Sequence, residues 1–140
     1  MSLPGSALAQ AALGLVGTPF RLHGRDPATG LDCVGLVGAA LAAAGGQPVA
    51  PTGYGLRNLG IERWLPLVER SGLTPVTGPV REGDVLLIAL GFGQHHLAIA
   101  IDPVSVVHAH AGLRRVVRQP RDPAWRIDAT WRLARILAEG

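Results

Sequence analysis

The hydrophobic period of this chain changes once, near Val80, and that change limits the folds open to it. Before Val80 apolar residues recur at helical spacing, and after it they come in short runs divided by turn residues. Ser6 to Val16 reads as a short helix with Ser6 as N-cap and Gly17 as the stop. Cys33 to Ala44 reads as a buried helix capped by Asp32 and ended by Gly45-Gly46. Asn58 to Arg70 reads as an amphipathic helix that Pro66 can split. Beyond the change, Val85 to Leu90, His96 to Ile101 and Val106 to Ala111 read as strands, with Arg115 to Val117 a further one and Trp125 to Leu137 a closing strand or helix. Helices first and strands afterwards predict an α+β fold, N-terminal helices packed on an antiparallel β-sheet. Nineteen Gly and eleven Pro among 140 residues exclude a pure helical bundle.

The length is that of one domain, expected over residues 1–140, and 48% apolar against 16% charged residues is the composition of a chain with a real core. An isoelectric point near 10.4 overstates its basicity. The net charge is only +3; all thirteen basic residues are Arg, and one Tyr and one Cys leave few groups to lose a proton above neutrality. Seven of those Arg lie between Arg114 and Arg135, with only Asp122 and Asp128 as acids, which reads as a solvated basic edge rather than a nucleic-acid surface. No run approaches the roughly 20 apolar residues of a membrane span. The first twenty residues carry no Lys or Arg and make a poor signal peptide, so synthesis in the cytoplasm is expected.

One cysteine excludes an internal disulfide framework. Cys33 falls at the predicted loop-to-helix junction, where unpaired N–H groups and the helix dipole favour thiolate over thiol. A nucleophile would be placed there; a buried core cysteine is the plain alternative. Four of the five histidines fall at 95, 96, 108 and 110, flanking a probable hairpin. A thiol nucleophile needs an imidazole to take its proton, and the imidazole needs an acceptor to hold its tautomer. His96 and His108, on neighbouring strands, can fill those roles. A zinc site built from the four histidines is the rival, set aside because no acidic or Cys partner lies near at ligand spacing.

Five blocks now stand in one order: Gly17-Thr18-Pro19-Phe20-Arg21, Gly30-Leu31-Asp32-Cys33-Val34-Gly35-Leu36-Val37, Glu82-Gly83-Asp84-Val85-Leu86, His96-Leu97-Ala98-Ile99 and Val106-Val107-His108-Ala109. In content and spacing they resemble the NlpC/P60 family, papain-like cysteine hydrolases of bacterial cell-wall peptides. The likeness extends to compact phage-tail and gene-transfer-agent peptidases, which also end in a Trp/Arg-rich segment. It implies a papain-like NlpC/P60 fold, with Cys33 as nucleophile, His96 as general base, His108 orienting His96, and no metal or cofactor. The implied substrate is the peptidoglycan stem peptide, cut next to D-glutamate and diaminopimelate. Phage-tail or gene-transfer-agent tail proteins are the implied partners, and a phage-like particle the implied destination. Phe20 stands where the family usually has Tyr, whose hydroxyl lies near the developing oxyanion. Arg21, Arg25 and Arg57, in predicted loops, are the candidates to hold a substrate carboxylate. The alternatives are a tail-tip or binding module that keeps the fold with little turnover, and a related thiol amidase or acyltransferase.

The resemblance makes demands on geometry. Cys33 should have its pKa depressed below the free value of about 8.5 and be alkylated quickly near pH 6. His96 rather than His95 should be the base. His96 and His108 share a face only if facing residues of their strands have an even sum, whereas a two-residue turn over Pro103-Val104 would pair Asp102 with Ser105 and give an odd one. An odd-length turn or a bulge between Ile99 and Val107 is therefore predicted.

Overall fold

Helix α1 (Pro4–Leu13) begins two residues before Ser6 in the computed structural model, which describes residues 4–46, 48, 68–91 and 94–133. Pro4 explains the earlier start, because its fixed φ suits the first helical position and its missing N–H has no intrahelical acceptor there. Ser6 is consequently not the cap: its hydroxyl donates to Glu82 Oε1 at 2.6 Å. The antiparallel pair β1 (Arg25–Asp26) and β2 (Gly30–Leu31) leads into α2 (Cys33–Ala43), where Asp32 is the N-cap as expected. Helix α2 is apolar nearly all round and buries Cys33, Val34, Leu36, Val37, Ala40 and Leu41, as a helix set mostly within the core must, while Ala42 and Ala43 at its end are exposed. Of the helix predicted over Asn58 to Arg70, residues 58–67 lie outside the described residues. The chain is next described at Val68, entering a single 3-10 turn, Glu69–Ser71, closed by Gly72.

Strands β3 (Leu73–Pro75), β4 (Val85–Gly91), β5 (Gln94–Ala100), β6 (Ser105–His110), β7 (Arg115–Pro120) and β8 (Arg126–Leu133) form an antiparallel sheet in the order β3-β8-β4-β5-β6-β7. The closing segment is thus a strand, and it inserts between β3 and β4. Strand β3 was not expected, being too short to show a period. Leu87, Leu97, Ile99 and Val107 face the main core with α1 and α2, while Leu86, Ile88, Ala98, Ala100 and Val106 face a second cluster covered by Val80, Trp125 and Ile127. The fold is α+β, with helices on one face of the sheet.

Two devices fix the helices to the sheet. Gly5 in α1 meets the turn before β4 so closely that a Cβ on either Gly5 or Gly83 would run into the other's backbone segment, and Gly83 also takes a φ of 87°. Asp84, fully buried, accepts two hydrogen bonds from Arg132, at 2.7 and 2.8 Å, and one from the Arg81 N–H at 2.9 Å, tying β4 to β8. Asp84→Ala leaves Arg132 unpaired, and because that side chain is 28% exposed and can turn toward water, the cost is expected to be about 2–3 kcal/mol, below the full value for a buried pair. Urea unfolding of the variant measures it; a loss under about 0.5 kcal/mol would refute the clamp.

Candidate active site

Asp32 is the hub on which the position of Cys33 rests. Its buried carboxylate accepts from the Gly35 N–H at 2.8 Å, capping α2, and from the His23 N–H at 2.9 Å, and pairs with Arg25 Nη1 at 3.2 Å. One side chain thereby joins the 21–25 loop to the first turn of α2, whose first residue is Cys33. Arg25 is placed as a partner of Asp32. The sulfur of Cys33 lies against the backbone N–H of Leu97, the residue after His96.

Strands β5 and β6 pair only at Ile99 with Val107 and Ala100 with Val106, both summing to 206. Ile101 N–H donates to the Ser105 carbonyl at 3.1 Å, so the turn is the three residues Asp102-Pro103-Val104, held by Asp102 Oδ1 accepting from the N–H of Val104 and Ser105, each at 2.8 Å. The odd-length turn gives the even sum, and His96 and His108 share a face. Their rings meet edge-on, with His96 Nε2 2.7 Å from His108 Nδ1. His108 Nε2 in turn lies 2.7 Å from Gln119 Oε1 on β7, and Trp125 packs edge-on to the His108 ring at 5.7 Å. The His95 ring also lines this region but is engaged with Asp128: its Nε2 is 3.1 Å from that carboxylate, which also pairs with Arg126 at 2.7 Å.

Where β5 and β6 part, a cavity of about 370 Å³ opens, lined by Cys33 from the helix side, by His96, His108 and His110 from the strands, and by Phe20, Leu90 and Trp125 as apolar walls. Phe20 is brought there by its N–H donating to the Arg114 carbonyl at 2.9 Å and by a bridge to Leu31. Neither Arg21 nor Arg25 is among its described lining residues, and Arg57 lies outside the described residues. Sequence reasoning missed Gln119, Trp125 and His110. Only His110 carried a signal, the clustering of histidines. His96 Nε2 and His108 Nδ1 are engaged with one another and His108 Nε2 with Gln119, and among the described residues no three side chains converge as metal ligands.

The expected depression of the Cys33 pKa is overturned. Burial, reinforced by the neighbouring Asp32 carboxylate, pushes the thiol up to about 12, outweighing the backbone N–H groups that favour the thiolate. Burial also pushes His96 down to about 3, with His108 and His110 adding in the same direction. The resting site therefore holds a neutral thiol and a neutral imidazole, and rapid alkylation near pH 6 is not its signature. Stability carries one instead. As pH falls below 6.5 the unfolded chain protonates this histidine while the folded one resists down to about 3, so the stabilisation present above 6.5 is lost progressively through that window. For Cys33 the sign is reversed, with stability full below about 9 and lost as pH rises toward 12. Urea midpoints are expected to fall between about pH 7 and about pH 4.5, less steeply in His96→Gln; equal slopes for both proteins would contradict this.

The NlpC/P60 family profile matches residues 17–134. Among solved structures, NlpC2 from Trichomonas vaginalis is similar at a TM-score of 0.71 and 13% identity over 95% of this chain, which spans 47% of that protein, about half its length. The NlpC/P60 domain of the peptidoglycan hydrolase SagA is similar at 0.61 and 25% identity, over 90% of this chain and 96% of that domain. An NlpC/P60 family protein from Bacillus cereus ATCC 10987 is similar at 0.68 and 20% identity, over 94% of this chain and 40% of that one. No curated protein sequence matches the chain.

Proposed function

The chain belongs to the NlpC/P60 family, and on that premise we propose that it is a cysteine hydrolase that cuts amide bonds in peptidoglycan stem peptides. The observation that carries the reading is the cavity that Cys33, His96 and His108 line in common, with the two imidazoles already hydrogen-bonded. The similar domain of SagA, a peptidoglycan hydrolase, supports the substrate class.

With both groups neutral at rest, the nucleophile is made during attack. His96 takes the thiol proton as the Cys33 sulfur bonds to the carbonyl carbon, and the negative charge passes to the carbonyl oxygen. The Cys33 backbone N–H, at the start of α2, is proposed to donate to that oxyanion; Phe20 has no hydroxyl to add, which removes a contribution worth about 100-fold where such a donor exists. Collapse breaks the C–N bond, the amine leaves with the proton from His96, and a thioester remains on Cys33. Water then gives a proton to His96 as its oxygen bonds to the thioester carbon; the C–S bond breaks, the acid leaves, and His96 returns the proton to the Cys33 sulfur. Arg21 and Arg57 are proposed to hold substrate carboxylates. The bond next to D-glutamate and diaminopimelate, and delivery by a phage-like particle with its tail proteins as partners, rest on the sequence resemblance alone. Incubation with purified peptidoglycan and mass spectrometry of released fragments tests the reading. A new amine and a new carboxylate within the stem are expected from wild type and not from Cys33→Ala; intact stems from both would sink it.

A further inference from the structure

We propose that Gln119 is a positioning residue that selects the tautomer of the His108–His96 pair and so leaves His96 Nδ1 free to act as base. The inference deepens the hydrolase reading and rests on it for its kinetic consequences, though not for its structural ones. Gln119 reaches His108 because of register. Val106 pairs with Gln119 and His108 with Val117, so Gln119 projects on the His108 side of the sheet, one diagonal step away.

The chain of hydrogens follows from what each atom can do. The Gln119 carbonyl oxygen, 2.7 Å from His108 Nε2, only accepts, so that nitrogen carries the hydrogen. A neutral imidazole has one N–H, and burial holds His108 in the neutral form. Its Nδ1 is then a lone pair, and the His96 Nε2 that faces it at 2.7 Å must donate. His96, neutral for the same reason, is left with its lone pair on Nδ1. An amide turned to present its N–H to His108 would reverse every step and put the hydrogen on His96 Nδ1, where it would block proton uptake. Once His96 accepts the thiol proton, its Nε2–H bond to His108 becomes charge-assisted, and the donor bond from His108 to Gln119 relays part of that stabilisation.

The test pairs a spectroscopic readout with a kinetic one. In Cys33→Ala protein, long-range proton–nitrogen NMR correlations identify the protonated ring nitrogens. Nε2–H is expected on both His96 and His108, retained in Gln119→Glu, whose carboxylate also only accepts, and mixed in Gln119→Met, which keeps the size and loses the acceptor. On an intact Cys33 background, Gln119→Met is expected to lose about 30-fold in kcat with KM within about 2-fold, and Gln119→Glu to restore most of it. Glutamate should also raise the acid limb of kcat/KM, since an anion joins Cys33, His108 and His110 around His96. A hydrogen on His96 Nδ1 in the unsubstituted Gln119 protein, or unchanged tautomers in Gln119→Met, overturns the proposal. Failure of the hydrolase reading would appear separately, as no cleavage beside the expected tautomers.

Discussion

Replacing Cys33 with alanine is expected to lower fragment release from peptidoglycan by at least about 10⁴-fold, to the rate of the uncatalysed background, because among the described residues lining the cavity only Cys33 carries a thiol or hydroxyl to form the acyl-enzyme. His96→Ala should cost about 10³-fold, the upper part of what a positioned base contributes. His95→Ala is the informative control. His95 lines the same cavity and has a carboxylate partner in Asp128, which makes it a rival base, yet the pair is partly exposed and engaged with Arg126. A loss within about 3-fold is expected for it, and a loss equal to that of His96→Ala would move the base to the wrong histidine. Initial rates for the three variants, with circular dichroism to establish folding, decide the matter. The double variant Cys33→Ala with His96→Ala should be no slower than Cys33→Ala alone, since the two residues act as a unit.

The second large effect is on folding. A Cβ at Gly35 would collide with the carbonyl of Gly24, a backbone atom in the loop that Asp32 anchors, and neither side can move without breaking the cap. Gly35→Ala is therefore expected to destabilise by about 3 kcal/mol or more, beyond the usual range for one added methyl group, and to lower Tm by about 10 °C or more. Alanine favours helix over glycine by about 1 kcal/mol, so a change governed by propensity would have the opposite sign. A Tm equal to or above wild type would mean that the loop and helix do not approach as described.

The contrast between Gly35 and the histidines explains how far the sequence could be read. The cap, the helix and the place of Cys33 at its first turn were legible because Asp32, Cys33 and the apolar run of α2 act within one turn of each other. The even register was legible in part, since parity is arithmetic along the chain, although which odd-length turn would satisfy it depended on Asp102 reaching Val104 and Ser105. The protonation state of Cys33 was misread. The helix N-terminus is a local feature visible in sequence, whereas the burial that outweighs it comes from strands far along the chain. Strand alternation likewise said which histidines share a face but not how Cys33, packed with Leu97 and Ile99 on the other face, shares a cavity with them. The parting of β5 and β6 after two paired positions provides the opening. Gln119 was invisible for a plainer reason: one glutamine in an Arg-rich strand has no pattern to set it apart.

The placement of β8 between β3 and β4 has a consequence for how the chain reaches this structure. During synthesis from the N-terminus, β4 to β7 emerge as a meander of adjacent hairpins and can pair as they appear, but the other edge of β4 stays open until Arg126 to Leu133 follows. Until then Asp84 lacks Arg132 and β3 has no neighbour in the sheet. Such long-range closure is slow compared with hairpin formation, and the waiting edge is a template for pairing with other chains. Refolding from denaturant should accordingly show its main phase at β8 docking, and a chain ending before Arg126 should aggregate rather than persist as a smaller folded unit.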